Sequence, residues 1–314
     1  MLGRTANGVF WMFRYLERAE NTARLLEAGF RLALARGSGE PSDEWRSILI
    51  TIGQNLDFQA TGHDYLGPAV TNFVLRDRDN AGSIVNMMEC ARNSARAVRT
   101  AITREVWEAT NESWMIIKDM LARPVSERNL GEALSTIRQQ STLVRGAMEG
   151  TMMRNEVFNF ARLGTYIERA DNTARILDVK YYVLLPSIAW VGSSLDNVQW
   201  EAILRSVAGI RAYRWLNAGK MEARGIAEFL ILDGRFPRSL EYCHNKLESN
   251  LASLARAYGS GGSAHDALRE ARGRIHAATI DEIVERGLHE FISDFIAENT
   301  EIADAIATDY RFVE

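Results

Sequence analysis

The chain has 314 residues, 46% of them hydrophobic and 25% charged, with a formal net charge of −4. That length supports a sizeable buried core, while the acidic balance excludes a general nucleic-acid binder, which needs a basic footprint to neutralise phosphates. Five prolines and two distant cysteines, Cys90 and Cys243, exclude a linker-rich chain and a disulfide scaffold; with no apolar run near about 18 residues and no signal-peptide pattern, the expected setting is the cytoplasm, with no membrane partner.

Helical periodicity governs the chain. From Val9 to Phe30, the positions Met12, Leu16, Ala19, Ala23, Leu26 and Phe30 recur every three or four residues, forming one apolar stripe. The next helix runs from Asp43 to about Leu56, with a Ser42 or Asp43 cap, and a short apolar one spans Gly67 to Leu75. Ser83 to about Met120 reads as one long helix, polar on one side and open to a bend, and Leu130 to Glu149 follows. A second stripe then appears at Leu163, Ile167, Ala170, Ala174, Leu177 and Tyr181. Pro186, which cannot continue the hydrogen-bond ladder, closes that helix. The remaining helices are Asn197 to Ala208, Ala223 to Leu232, Ser239 to Tyr258, Ala264 to His289 and Glu290 to Asp309. Period-two alternation is sustained nowhere, so the expected fold is all-α.

The sequence repeats itself. YLERAENTAR begins at Tyr15 and YIERADNTAR at Tyr166; over Arg14–Glu27 and Thr165–Asp178, nine of fourteen positions are identical at an offset of 151. Trp45–Leu49 answers Trp200–Leu204 at 155, Phe73–Asp77 answers Phe229–Asp233 at 156, and Ser83 then answers Ser239. The expectation is an internal duplication: a first helical repeat over residues 1–150 and a second over 151–314, forming one compact domain about a pseudo-two-fold axis. Small residues at Ala19, Ala23, Ala170 and Ala174 would let the two signature helices pack closely in the core.

The polar residues of the repeat allow two readings. Glu17, Asn21 and Arg24 share one helix face and Tyr15, Arg18 and Thr22 another, and Glu20 stands four residues before Arg24. The second copy repeats this with Tyr166, Glu168, Arg169, Asp171, Asn172 and Arg175. One reading is a buried Glu–Arg network that fixes the register of the two halves. The other is a composite site, with Glu17 and Glu168 as acid or base and Tyr15, Arg18, Asn21, Arg24, Tyr166, Arg169, Asn172 and Arg175 as ligand-binding groups. Arginine suits carboxylate or phosphate, which it grips bidentately. No metal or cofactor is expected: the Glu-x-x-Glu spacing lacks a histidine, and the five histidines form no ligand pattern. No P-loop, dinucleotide fingerprint or nucleophile elbow occurs. In RFPRS, Ser239 suits a helix cap; anion binding by Arg235 and Arg238 at that helix start is the alternative.

Four blocks, VFWMFRYLERAENTARLLE, SIVNMMECARNSARAVRTAITREVWEATN, RLGTYIERADNTARILDVKYYVLLP and FLILDGRFPRSLEYC, resemble in this order the bacterial alpha-E family, and the resemblance covers nearly the whole chain. It implies a context: alpha-E proteins are encoded beside, or fused to, circularly permuted ATP-grasp proteins, which join a carboxylate to an amine through an acyl-phosphate. The expected role is therefore a helper or substrate-binding protein of a peptide-synthesis or peptide-modification system, with the ATP-grasp protein and a small peptide as partners. The rivals are an enzyme acting on a small peptide through the motif Glu and Arg residues, and a purely structural interaction protein.

Overall fold

The computed structural model describes residues 1–36, 42–182 and 194–312, and every regular element among them is an α-helix. Pro186 and the Tyr181 side chain, both invoked above, lie outside the described part. The first signature stripe belongs to α1 (Gly3–Arg36). It is followed by α2 (Ser42–Thr51), α3 (Asn55–Ala60), α4 (Gly67–Arg76), α5 (Ile84–Ala97), α6 (Arg104–Met120) and α7 (Glu127–Thr151). The second stripe belongs to α8 (Glu156–Tyr182), followed by α9 (Ser194–Ser206), α10 (Ile210–Leu216), α11 (Ala223–Ile231), α12 (Leu240–Tyr258), α13 (Ser263–Ala277), α14 (Ile280–Arg286) and α15 (Leu288–Asp309).

Three helices expected to be continuous are broken, each for a local reason. The segment read as 43–56 divides into α2 and α3 at Gly53, whose φ of +74° leaves the helical region. The segment read as 83–120 divides at residues 98–103. There the β-branched Val98, Thr100, Ile102 and Thr103 weaken the helix, and the Thr103 hydroxyl accepts from Val106 N to cap α6. The segment read as 264–289 divides at Thr279, which forms a reciprocal capping box with Glu282. The short α10 has no sustained stripe and was not expected.

The contact between α1 and α8 is the most extensive in the molecule. The four stripe alanines, Ala19, Ala23, Ala170 and Ala174, are fully buried. Gly164 shows how close the backbones come: a Cβ there would stand 2.2 Å from the Phe10 carbonyl oxygen. Around this centre α1 also packs against α5 and α7, and α8 against α12 and α15; α6 sits on α5 and α7, and α13 on α12 and α15. One apolar cluster runs from Ala6 to Phe312. A helix surrounded on several sides buries its polar face as well as its apolar one. Glu17, Glu20, Asn21 and Thr22 of α1, and Glu168, Arg169 and Thr173 of α8, are accordingly buried, and each charge needs a partner.

Two loops deliver residues to this centre. Between α4 and α5, Asp77 Oδ1 accepts from Asp79 N at 2.9 Å, Ser83 N donates to Asn80 O, and Ser83 caps α5. Between α11 and α12, Asp233 Oδ1 accepts from Arg235 N at 2.8 Å, Ser239 N donates to Phe236 O, and Ser239 caps α12. The residue before the cap is Gly82 in the first loop and Arg238 in the second.

Candidate functional site

Where α1 crosses α8, the two Glu-Arg pairs of the signature helices exchange partners. Arg169 Nε and Nη2 donate to Glu17 Oε1 and Oε2, both at 2.9 Å. Arg18 Nε and Nη2 donate to Glu168 Oε1 at 2.5 Å and Oε2 at 2.8 Å. Both are parallel two-bond grips, the strongest geometry open to these side chains.

Further guanidiniums complete each carboxylate. Arg238 reaches in from the α11–α12 loop: Nη1 donates to Glu17 Oε1 at 2.9 Å and to Asn21 Oδ1 at 2.7 Å, and Nη2 to Glu20 Oε1 at 3.0 Å. Arg24 Nε and Nη2 also donate to Glu20 Oε1, at 2.9 and 2.7 Å. Arg145 of α7 pairs with Glu17 at 3.3 Å and with Glu20. On the other side, Arg14 Nε donates to Glu168 Oε2 at 3.0 Å, and Arg175 Nε to Asp171 Oδ2 at 2.7 Å.

Electrostatics follows from this packing. Burial alone would raise the Glu17 carboxyl, but Arg169, Arg238 and Arg145 outweigh it and hold the group well below the ordinary carboxylate range. For Glu20, burial and the neighbouring Glu17 charge are outweighed by Arg238, Arg145 and Arg24. Glu168 is held down against burial by Arg18 and then Arg14. All three are ionised near neutrality, and both oxygens of Glu17 and of Glu168 are occupied by donors. A carboxylate so held is a weak base and has no proton to give.

The sequence-derived candidates divide into three groups. Arg18, Asn21, Glu168, Asn172 and Arg175 line one cavity of about 340 Å³, together with Thr22, Thr51–Gln54, Asp57, Gly82 and Asp171. Glu17, Arg24 and Arg169 belong to the buried network beside it. Tyr15 and Tyr166 pack elsewhere: the Tyr15 ring lies 5.5 Å from that of Trp11, and the buried Tyr166 ring meets Tyr242 edge-on at 6.1 Å. Ser239 caps α12, its Oγ accepting from Tyr242 N at 3.0 Å, while Arg238 turns into the acidic centre and the exposed Arg235 pairs with Asp233 at 2.8 Å. Arg14, Arg145 and Arg238 are the residues that motif reasoning did not assign here. Of these only Arg238 left a signal, as the residue aligned with Gly82 when the repeats are superposed in sequence.

The Alpha-E family model, described as a predicted alpha-helical domain with a conserved ER motif, matches residues 1–310. An uncharacterised protein of Mycobacterium bovis is 24% identical over 316 residues, covering 94% of this chain and 35% of its own. An uncharacterised protein of Mycobacterium tuberculosis is 23% identical over the same span and coverage. The chain thus spans about a third of the length of the curated relatives it matches. No solved structure matches. Among the described residues, no helix is long and apolar enough to cross a membrane.

Proposed function

The chain belongs to the Alpha-E family, and from that premise we propose that it is a binding protein that holds a small peptide for a circularly permuted ATP-grasp amide ligase in the cytoplasm. The observation that carries this reading is the cavity at the α1–α8 crossing, lined by signature residues of both helices, Arg18 and Asn21 from one and Asn172 and Arg175 from the other. The motif acids favour binding over catalysis. Glu17 and Glu168 are buried, ionised and saturated by guanidiniums, which suits Glu168 to the wall of a site and Glu17 to the network behind it, and leaves acid–base work to the partner. The greater length of the mycobacterial relatives fits a module that works beside further segments.

The same reading takes the fold as a duplicated bundle, residues 1–150 and 151–314, forming one compact domain about a pseudo-two-fold axis. Its support is the reciprocity of contacts. Glu17 meets Arg169 as Glu168 meets Arg18, and such mutual exchange is the mark of an isologous interface. The i,i+4 pairs Glu20–Arg24 and Asp171–Arg175 stand at the 151-residue offset, and the Asx turns and serine caps of the two loops at 156.

The test is co-expression with the ATP-grasp partner. A stable complex on gel filtration, and more amide product by mass spectrometry than the ligase forms alone, is the expected result. Absence of a complex at micromolar protein, with product formation unchanged by this chain, would overturn the reading.

A further inference from the structure

The cavity beside Gly82 is the counterpart of a space that the chain itself fills on the other side of the crossing. At the 151-residue offset, Glu168, Asp171 and Asn172 stand where Glu17, Glu20 and Asn21 stand; at the 156-residue offset, Gly82 stands where Arg238 stands. The guanidinium of Arg238 is met by Glu17 Oε1, Glu20 Oε1 and Asn21 Oδ1 at 2.7–3.0 Å. Around Gly82 the equivalent three positions line a cavity of about 340 Å³, and position 82 has no side chain to enter it. We propose that this cavity binds a guanidinium group, the side chain of an arginine in a peptide, held as Arg238 is held in the other half. The proposal rests on the peptide-binding reading and on the duplication given above, and adds the chemistry that the site selects.

The acceptors for such a group are in place. Glu168 spends its oxygens on Arg14 and Arg18, but Asp171 gives only Oδ2 to Arg175. The Asn172 amide makes no hydrogen bond among the described residues, and the exposed Asp57 carboxylate stands on the wall without an ion-pair partner among them. Asp171 is one methylene shorter than Glu20, which widens the space.

Charge balance points the same way. The two carboxylates of the first centre, Glu17 and Glu20, are met by Arg24, Arg145, Arg169 and Arg238. Those of the second, Glu168 and Asp171, are met by Arg14, Arg18 and Arg175, with Asp57 adding a third carboxylate. A further cation is therefore opposed less in the second centre than Arg238 is in the first. An anion entering there would face Asp57, Glu168 and Asp171, with the Arg18 fork already engaged.

One group distinguishes a peptide from a bare cation. Asn21 is 2% exposed and lines the cavity, and among the described residues its Nδ2 has no hydrogen-bond partner while Oδ1 accepts from Arg238. A buried donor left over at the cavity wall is suited to a carbonyl oxygen, such as the one beside the arginine in a peptide backbone. The rear wall is fixed by Gln54, whose Nε2 donates to Gly82 O and whose Oε1 accepts from Asn80, both at 2.8 Å. A Cβ at position 82 would stand 2.4 Å from Gln54 Nε2, so the same side chain keeps the position open.

Binding of four end-blocked tripeptides, Ala-Arg-Ala, Ala-Lys-Ala, Ala-Ala-Ala and Ala-Glu-Ala, to the full chain by titration calorimetry and NMR tests the assignment. The arginine peptide is expected to bind, the lysine peptide about ten-fold more weakly, and the other two not measurably. Asn172→Ala and Asp171→Asn should each weaken the arginine peptide about ten-fold. Asn172→Ala should leave the melting temperature unchanged, because its side chain makes no hydrogen bond among the described residues. Equal binding of all four peptides, preference for the glutamate peptide, or affinity unchanged in both variants would overturn the guanidinium assignment while leaving peptide binding standing. Binding of none would overturn the assignment and count against the peptide-binding reading as well.

Discussion

Arg169 holds Glu17 through two hydrogen bonds of 2.9 Å, across helices 152 residues apart in the chain. The next residue after Glu17, Arg18, returns the same grip to Glu168. Desolvating such a pair costs several kcal/mol, so its gain over an apolar core is small, but stranding one member is severe. Arg169→Met is therefore expected to destabilise the chain by about 3 kcal/mol, because Glu17 is 1% exposed. Replacing both Glu17 and Arg169 by Met should cost clearly less than the two single changes added together. Urea denaturation of the four proteins gives this coupling; additivity within about 0.5 kcal/mol would sink the claim of a specific pair.

The two arginines of RFPRS should behave in opposite ways. Arg238 is buried and donates to Glu17, Glu20 and Asn21, so Arg238→Met removes a guanidinium on which two buried carboxylates depend and is expected to cost about 3 kcal/mol. Arg235 is exposed and, among the described residues, pairs only with Asp233. Arg235→Met should leave the unfolding midpoint where it is. Equal effects in thermal melts would remove the distinction.

Glycines give a second contrast. Gly164→Ala places a methyl 2.2 Å from the Phe10 carbonyl oxygen, where two helix backbones meet and neither can yield cheaply; a loss of about 2–3 kcal/mol is expected. Gly146→Ala in α7 meets nothing within 4 Å and should stabilise by up to about 1 kcal/mol through helix propensity. Calorimetric melting of the two variants checks both signs.

Acid should weaken the chain in two windows. His244 is buried, stacked on Phe295, and among the described residues neither ring nitrogen has a hydrogen-bond partner. Burial, with Arg272 nearby, pushes it down to about 3 from its ordinary 6.5. The unfolded chain then binds a proton that the folded chain refuses, so stability is intact above pH 6.5 and falls as pH drops toward 3, by at most about 1.4 kcal/mol per pH unit. The carboxyls of Glu17, Glu20 and Glu168 lie below their ordinary 4.5; their contribution is full above that value and is lost as pH falls further. His244→Phe should flatten the pH dependence between 6.5 and 4.5 and leave the lower window in place. An identical slope in the variant would contradict this role for His244.

Residues at helical spacing were legible, and residues that meet through space were not. Leu16, Ala19, Ala23 and Leu26, and Leu163, Ile167, Ala170 and Ala174, mark buried stripes because burial on a helix repeats every three or four positions. The breaks at residues 98–103 and at Thr279 were hidden because the apolar rhythm runs through them while the caps act locally. That charges would lie beside the core followed from their place next to the stripes. Which arginine meets which glutamate depends on how α1 crosses α8, and that angle is written in no local pattern. Arg145 arrives from α7 with no motif around it. Arg238 reads as a loop residue at a helix start, and the one hint of more is that it precedes Ser239 as Gly82 precedes Ser83.

The double variant Glu17→Gln, Glu168→Gln tests the central claim most directly, by thermal unfolding alongside peptide and partner binding in the same preparations. If these glutamates build the crossing, neutralising both strands buried guanidiniums and lowers the melting temperature by at least about 5 °C, with binding lost in step with folding. An unchanged melting temperature together with abolished activity would contradict the account and return Glu17 and Glu168 to the chemistry of a catalytic site.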